Sequence, residues 1–307
     1  MTPARRLVGA ALGLGLDRLF GEPPTRWHPL VYFGRLMGAL EGRLYRDGRA
    51  AGVGYAGVGL ALGVFAGRLV TSNALATALS VGGRSLSRAA REVAIPLAVG
   101  DLEGARTAVS ALVGRDPRDL DEAEVARAAV ESVAENTVDA IVAPALFAAA
   151  FGACGTLGYR AINTMDAMVG HRSARYRCFG TAAARLDDVV NWVPARVTAG
   201  LVAAVRPRAA WSVLRAVRDQ APAHPSPNSG VAEAAFAAAL GVTLGGRNVY
   251  GERVEVRPPL GTGRPARAGD IDAARRLSRD VTIALALALA AAAALVTRRR
   301  SREGSWV

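Results

Sequence analysis

The sequence predicts an all-α, polytopic integral membrane protein with four or five transmembrane helices plus amphipathic helical loops. Three observations carry this. Hydrophobic residues make up 51% of 307 positions although 21% are charged, and mean hydropathy is +0.21; such a mixture describes apolar blocks set between charged loops. Several charge-free runs approach the roughly 20 residues that a helix needs to cross a bilayer. Charges then gather at the block ends, with Asp139 and Arg160 bounding one run and Arg298-Arg299-Arg300 closing another.

Taken in order, the first element opens on Arg5-Arg6 and an apolar stretch at residues 7–16. This imitates a secretory signal, but no A-x-A cleavage site follows and Asp17-Arg18 ends the stretch, so an uncleaved membrane-embedded helix is expected. Residues 50–67 form the next block; Arg68 interrupts it, and residues 69–83 continue without charge. The cleanest spans are residues 140–159 and 281–297. Residues 189–205 are weaker because Arg196 lies inside them, and residues 231–246 contain Glu233 and read as a buried or interfacial helix.

The polar parts have their own character. Residues 84–139 hold seven arginines against eleven acids, so this stretch is net acidic in a protein of net charge +12. Its pattern predicts amphipathic helices starting near Asp101, Asp116 and Asp119. The polar loop region at about 206–280 carries Pro/Gly turns, and residues 249–256 are predicted to form a short hairpin around Gly251. The whole of residues 1–307 is read as one membrane-embedded domain containing these two polar segments. Orientation is left open: residues 160–188 hold five arginines and residues 206–280 twelve. Basic loops on both sides of a span defeat the positive-inside count. Either one apolar block fails to cross, or a polar loop folds back into the membrane region.

All 38 basic residues are arginine. The absence of lysine excludes Schiff-base chemistry and the lysine-bearing phosphate loop. Any bound anion must therefore meet guanidinium, backbone N–H, a helix N-terminus or a metal ion. Two cysteines and three histidines exclude a disulfide framework and the usual zinc sites. A pI near 11 would suit a nucleic-acid partner, but aromatics are 6% and no basic-aromatic stripe exists. Membrane flanks account for the charge, and no nucleic-acid partner is expected.

Two constellations carry candidate chemistry. Glu131, Glu135 and Asp139 are spaced i, i+4, i+8 ahead of an apolar run. They read either as a solvated helix face or as a site for Mg²⁺ or a cationic group, with Asn136 as a further oxygen ligand. Beyond that run come Tyr159, Arg160, Asn163 and Asp166, then Arg172, Arg175 and Arg177, then Asp187, Asp188, Asn191 and Arg196. These read either as a structural ion-pair network, with Asp187 or Asp188 pairing Arg196, or as a magnesium-phosphate site. His28-Pro29 and His224-Pro225 mark two rigid stretches. Asn228 or Ser229 is placed to cap the helix after the second.

Together these motifs resemble the CobD/CbiB family, the adenosylcobinamide-phosphate synthases of cobalamin biosynthesis. The matching stretches are residues 17–24 with His28-Pro29, Glu131 through Asp139, residues 159–170, 185–196 and 224–230. They run in the family's order over most of the chain. The resemblance implies a multi-pass enzyme of the cell membrane. It joins aminopropanol, or its O-phosphate, to a propionate carboxyl of adenosylcobyric acid, with ATP as the driving nucleotide. Other late cobalamin-pathway membrane enzymes are possible partners alongside the bilayer.

On that footing Glu135, Asp139, Asp166, Asp187 and Asp188 are the candidate catalytic carboxylates, and Glu135, Asp166 and Asp188 are candidate ligands for Mg²⁺. Arg160, Arg172, Arg175 and Arg196 are candidates for phosphate. Asn136, Asn163, Asn191 and Asn228, with His28 and His224, are candidates for the amide-rich corrinoid and the amine substrate. Two other readings stay open. A membrane prenyltransferase also uses Asp clusters at helix ends but needs more spans and a second extended Asp pattern. A transporter would show internal repeats or paired broken helices, and the sequence shows neither.

Overall fold

The computed structural model describes residues 1–113, 116–171, 173–250 and 253–303. Twelve helices and three strands are named here in chain order. The helices are α1 (Pro3–Phe20), α2 (Pro29–Leu44), α3 (Arg49–Leu69), α4 (Asn73–Ser80), α5 (Gly83–Ala98), α6 (Leu102–Val109), α7 (Glu122–Thr137), α8 (Ala143–Met165), α9 (Thr181–Val205), α10 (Ala210–Asp219) and α11 (Ser229–Leu240). The strands β1 (Val242–Tyr250), β2 (Arg253–Leu260) and β3 (Arg264–Pro265) follow, and α12 (Ala268–Glu303) ends the chain. Two compact units result. The first takes Met1–Gly82, Asp139–Asn191 and Leu285–Val307; the second takes Gly83–Val138 and Trp192–Ala284. Both polar segments marked in the sequence, apart from Asp139, lie in the second unit.

In the first unit, glycine sets how closely the helices approach. On α3 a Cβ at Gly59, Gly63 or Gly67 would fall within 2.2–2.6 Å of Met165, Ala161 or Cys154. This four-residue stripe of small residues lets two apolar helices pack backbone to backbone. Gly9 and Gly13 do the same for α1 against Asn73 and Thr77 of α4.

The decisive feature is α8. Gly152 has φ 71° and ψ −156°, a conformation available in practice only to glycine. The chain folds back there. The rings of Phe147 and Tyr159 stack with centroids 5.2 Å apart, and the Tyr159 hydroxyl donates to the Asp139 carbonyl at 3.1 Å. In a straight helix at 1.5 Å per residue those pairs would be about 18 and 30 Å apart. The carbonyls freed at the break are satisfied: Arg6 donates to Ala150 at 2.5 Å and Asn73 to Ala148 at 3.2 Å. Phe151, at the tip, is 64% exposed.

Among the described residues three helices are long and apolar enough to cross a membrane: Arg49–Leu69, Glu122–Gly170 and Ala268–Arg299. This is fewer than the four or five expected. The helix at the N-terminus is not among them, since it holds Arg5, Arg6, Asp17 and Arg18; α9 holds Arg185, Asp187, Asp188 and Arg196. The second of the three is also not a straight span where it is most apolar. Run 140–159 is folded at Gly152, so each arm is shorter than the roughly 20 residues a crossing needs, and both polar ends emerge together.

The second unit is built around α7, most of whose length is buried. Asp121 and Glu124 form a reciprocal capping box at its start. Asp101 caps α6 as expected, accepting from Gly104 at 2.8 Å. Asp116 instead pairs with Arg118 in the loop, and the helix begins after Asp121, where the reciprocal box with Glu124 forms. The all-α expectation is amended by a small sheet of order β2-β1-β3. β1 and β2 pair antiparallel from Leu244↔Leu260 to Tyr250↔Arg253, so the predicted hairpin forms; its turn, Gly251 and Glu252, lies outside the described residues.

Candidate functional site

Each unit contains a cluster of polar side chains in which several predicted residues meet. In the first unit the folded α8 brings its own two ends together, and both ends are π turns, Val138–Val142 and Asp166–Gly170. Such local widening recurs at functional sites. Asp139 lies in one turn and Asp166 opens the other. Gly170 leaves room for the Asp166 carboxylate: a Cβ there would stand 1.8 Å from Asp166 Oδ1.

The cluster is held by amides. The Tyr159 hydroxyl donates to Asn191 Oδ1 at 2.9 Å as well as to the Asp139 carbonyl. Asn191 donates to Asp187 Oδ2 at 3.0 Å, and Asn163 donates to Asp187 Oδ1 at 3.3 Å. Both oxygens of Asp187 are therefore fixed. Burial pushes the Asp187 carboxyl above the usual carboxylate range; the Asn191 and Asn163 amides oppose this and Asp188 adds to it. Asp187 and Asp188 both act electrostatically on Asp166. Arg160 donates to Asn163 Oδ1 at 3.0 Å and to the Asp139 carbonyl at 3.4 Å, while its Nε is buried without a hydrogen-bond partner among the described residues. Chemically this is an anionic surface joined by the Arg160 guanidinium, one N–H of which has no acceptor among the described residues.

The second cluster joins α7, α11 and the hairpin. Arg127 donates to Glu131 at 3.3 Å, to the Arg247 carbonyl at 3.0 Å and to the Gly245 carbonyl, and Glu131 accepts from the Gly245 N–H at 2.8 Å. Arg257 lies 3.1 Å from Glu255, 3.5 Å from Glu233 and 3.8 Å from Glu135. His224 Nε2 faces Glu233 Oε1 at 3.5 Å, both fully buried.

The remaining predicted residues divide. Asn163, Asn191, Arg160, Asp139, Asp166, Asp187 and Asp188 share the first cluster; Glu135 and His224 share the second. Asn136 spends its Nδ2 on Ser132 of its own helix. Arg175 is tied to Glu41 at 2.9 Å and lies over the Tyr45 ring at 4.1 Å, so a structural ion pair occupies it. Arg196, expected to pair with Asp187 or Asp188, donates to the Trp192 carbonyl and Asn228 Oδ1 and stacks on Trp192. His28 caps α2 by accepting from Leu30, leaving Nε2 toward Glu22 at 3.4 Å. Asn228 makes no side-chain cap for α11; Ser226 Oγ accepts from Asn228 and Ser229 instead. Arg172 lies outside the described residues. Among those residues no three His, Cys, Asp or Glu side chains group so as to hold a metal ion, so Glu135, Asp166 and Asp188 do not form one ligand set.

Sequence reasoning missed Arg127, Arg257 and the role of Tyr159. Glu233 left a signal, a lone acid in an apolar helix, where an unpaired charge is costly. Arg257 left none, because its partners come from distant elements.

Comparison with known proteins accords with the motifs. The profile described as "CobD/Cbib protein" matches residues 10–278. A protein named "Cobalamin biosynthesis protein CobD" from Mycobacterium tuberculosis (strain CDC 1551 / Oshkosh) is 48% identical over 289 residues, covering 90% of this chain and 92% of the relative. Proteins of the same name from Chromobacterium violaceum and Rhodobacter capsulatus are 45% identical over 285 residues and 41% identical over 289. These two alignments cover 87% of this chain each, and 90% and 91% of the relatives. No solved structure matches. The chain belongs to the CobD/Cbib family.

Proposed function

We propose that this protein acts in cobalamin biosynthesis as an acid–amine ligase of the cell membrane. It would join (R)-1-amino-2-propanol O-phosphate, or free aminopropanol, to a propionate carboxyl of adenosylcobyric acid at the expense of ATP. The relatives' shared name supports the pathway. The observation that carries the chemistry is the first cluster, in which a folded apolar helix presents carboxylates and one unsatisfied guanidinium N–H at its open end.

The division of labour follows from that geometry. Arg160, braced by Asn163, takes a phosphate oxygen on its free Nε–H. Its positive charge stabilises a phosphate leaving group as the amine nitrogen attacks the activated carboxyl. Asn163 and Asn191 hold Asp187 still, and Asp166 and Asp188 beside it would be the carboxylates that meet a cation. Two carboxylates suit Mg²⁺, which binds through one or two of them and completes its shell with water and substrate phosphates. Bound there, the ion would offset the negative charge gathered on nucleotide and carboxylates.

The test is direct. Purified protein in lipid nanodiscs receives adenosylcobyric acid, aminopropanol phosphate and Mg-ATP, and the amide is sought by mass. Amide formation that requires ATP supports the reading. Absence of product from well-folded protein returns the broken helix α8 to the transporter reading, since discontinuous helices also mark transport sites.

A further inference from the structure

The first unit also carries an apolar groove, apart from the cluster at the ends of α8. It lies between α1 and the last part of α12 and encloses about 980 Å³. Val8 and Leu12 of α1 line one side, and Ala286, Ala290 and Ala294 of α12 line the other. The alanines recur every four residues, so they fall on one face of the helix. Their small side chains leave open a channel that larger ones would fill. The apolar groups along it still face outward, with Leu12 57% and Leu287 66% exposed.

One end of the groove differs from the rest. Arg298 ends its lining on α12, with Thr297 beside it, and among the described residues no carboxylate lines it. Thr297 spends its hydroxyl proton on the Ala293 carbonyl at 3.0 Å, so the side-chain donors at that end belong to the guanidinium. Arg299 and Arg300 follow in the chain and make the same end more attractive to an anion. From Ala286 to Arg298 the helix rises about 18 Å at 1.5 Å per residue. That is a little over half of the roughly 30 Å hydrocarbon core, and α12 is long and apolar enough to cross it. The groove is thus about one leaflet deep, with its charge at the depth of the headgroups.

The occupant follows from this pairing of an apolar length with a cation. An acyl chain has no polar group to satisfy and gains by covering the groove's apolar walls. A phosphate diester offers the guanidinium two oxygens, the bidentate match that arginine favours. We propose that the groove holds one anionic phospholipid, with an acyl chain along Ala290 and Ala294 and its phosphate on Arg298. A zwitterionic headgroup brings its own cation beside the phosphate and competes with Arg298, so a lipid of net negative charge is preferred. A second copy of the chain, inserted the same way and docked groove to groove, would add a further arginine at that depth and no anion. The binding does not depend on the ligase reading, and a protein that made no amide would still hold the lipid.

The experiment adds phosphatidylglycerol or phosphatidylcholine to the full chain in mild detergent and counts retained lipid by native mass spectrometry. Wild type is expected to keep one phosphatidylglycerol and to hold phosphatidylcholine more weakly. Arg298→Gln should bind phosphatidylglycerol roughly tenfold more weakly, the loss of one charge-assisted pair. Ala290→Phe should lose it by filling the channel. Two controls separate this site from general attraction. Arg299→Gln removes the same charge one residue on, and Ala288→Phe adds the same ring, each at a position outside the lining of the groove; both should keep the lipid. Equal retention of the two lipids means surrounding lipid only and overturns the proposal. Equal losses in Arg298→Gln and Arg299→Gln overturn it as well, since net charge would then be enough. So does a dimer in place of the lipid adduct, or displacement of the lipid by inorganic phosphate. If Ala290→Phe fails to fold, the contrast between the two arginine variants still decides.

Discussion

The two polar clusters use the same residue types for opposite ends. In the second, Arg127 and Arg257 each reach several partners, with Arg127 alone reaching Glu131, Gly245 and Arg247. In the first, both oxygens of Asp187 are held by the Asn163 and Asn191 amides, and Asp187 and Asp188 act together on Asp166. A buried charge that is paired and hydrogen-bonded mainly makes a fold specific. A carboxylate held by neutral amides, as Asp187 is, is oriented without being paired to a cation by those bonds. The difference teaches where to look for ligand: in the cluster whose charges the fold orients without neutralising.

Breaking the first cluster should abolish chemistry and spare the fold. Asp166→Asn or Asp188→Asn is expected to cut ligation by roughly 10²–10⁴-fold while leaving the unfolding temperature close to wild type. Near-normal product from both would remove these carboxylates from the mechanism. Breaking the second cluster should do the reverse. Arg127→Met strands Glu131 beside the Gly245 N–H, and loss of one partner of a buried pair costs roughly 3–5 kcal/mol. Thermal unfolding in detergent reads this directly, and an unchanged midpoint would contradict the pairing.

Smaller changes sharpen the contrast. Arg160→Lys keeps the charge but loses the planar fork that serves Asn163, the Asp139 carbonyl and an incoming oxygen at once. A loss of about 10²-fold in kcat/KM is expected, in line with removal of one oriented donor; full activity would mean that charge alone suffices. The smallest effect is a pH dependence of stability. A carboxyl whose folded-state pKa is raised, as for Glu233, favours the folded state fully below the ordinary value near 4.5. That contribution is lost as pH rises through the folded-state value. Glu233→Gln does not titrate, so its melting temperature relative to wild type should climb as pH rises from about 4.5. A constant gap across that range would show that Glu233 does not titrate abnormally.

Much of the first cluster was legible because its members sit at helical spacing. Asn163 with Asp166 and Asp187 with Asn191 are i, i+3 and i, i+4 pairs, and local spacing survives folding. The bond from Asn163 to Asp187 joins two different helices and no spacing announces it. The fold-back of α8 was hidden for a related reason. Run length and hydropathy describe what a helix can cross, whereas the break at Gly152 depends on Arg6 and Asn73, which reach the freed carbonyls from elsewhere in the chain. Arg175 and His28 misled because an exposed ion pair and a helix cap use the same residues as a binding site. Glu233 was visible as an anomaly, and only Arg257, Glu135 and His224 around it gave it meaning.

The fold-back at Gly152 is what brings Asp139, Tyr159, Arg160 and Asp166 into one site, and a single distance tests it. Spin labels are placed on Ala140→Cys and Leu157→Cys, with Cys154 and Cys178 replaced by serine, and the dipolar distance is measured in nanodiscs. A straight helix at 1.5 Å per residue would hold them roughly 25 Å apart. The folded α8, in which the Tyr159 hydroxyl lies 3.1 Å from the Asp139 carbonyl, predicts a distance far shorter than that. A distribution centred near the straight-helix value would contradict the hairpin and dissolve the cluster built on it.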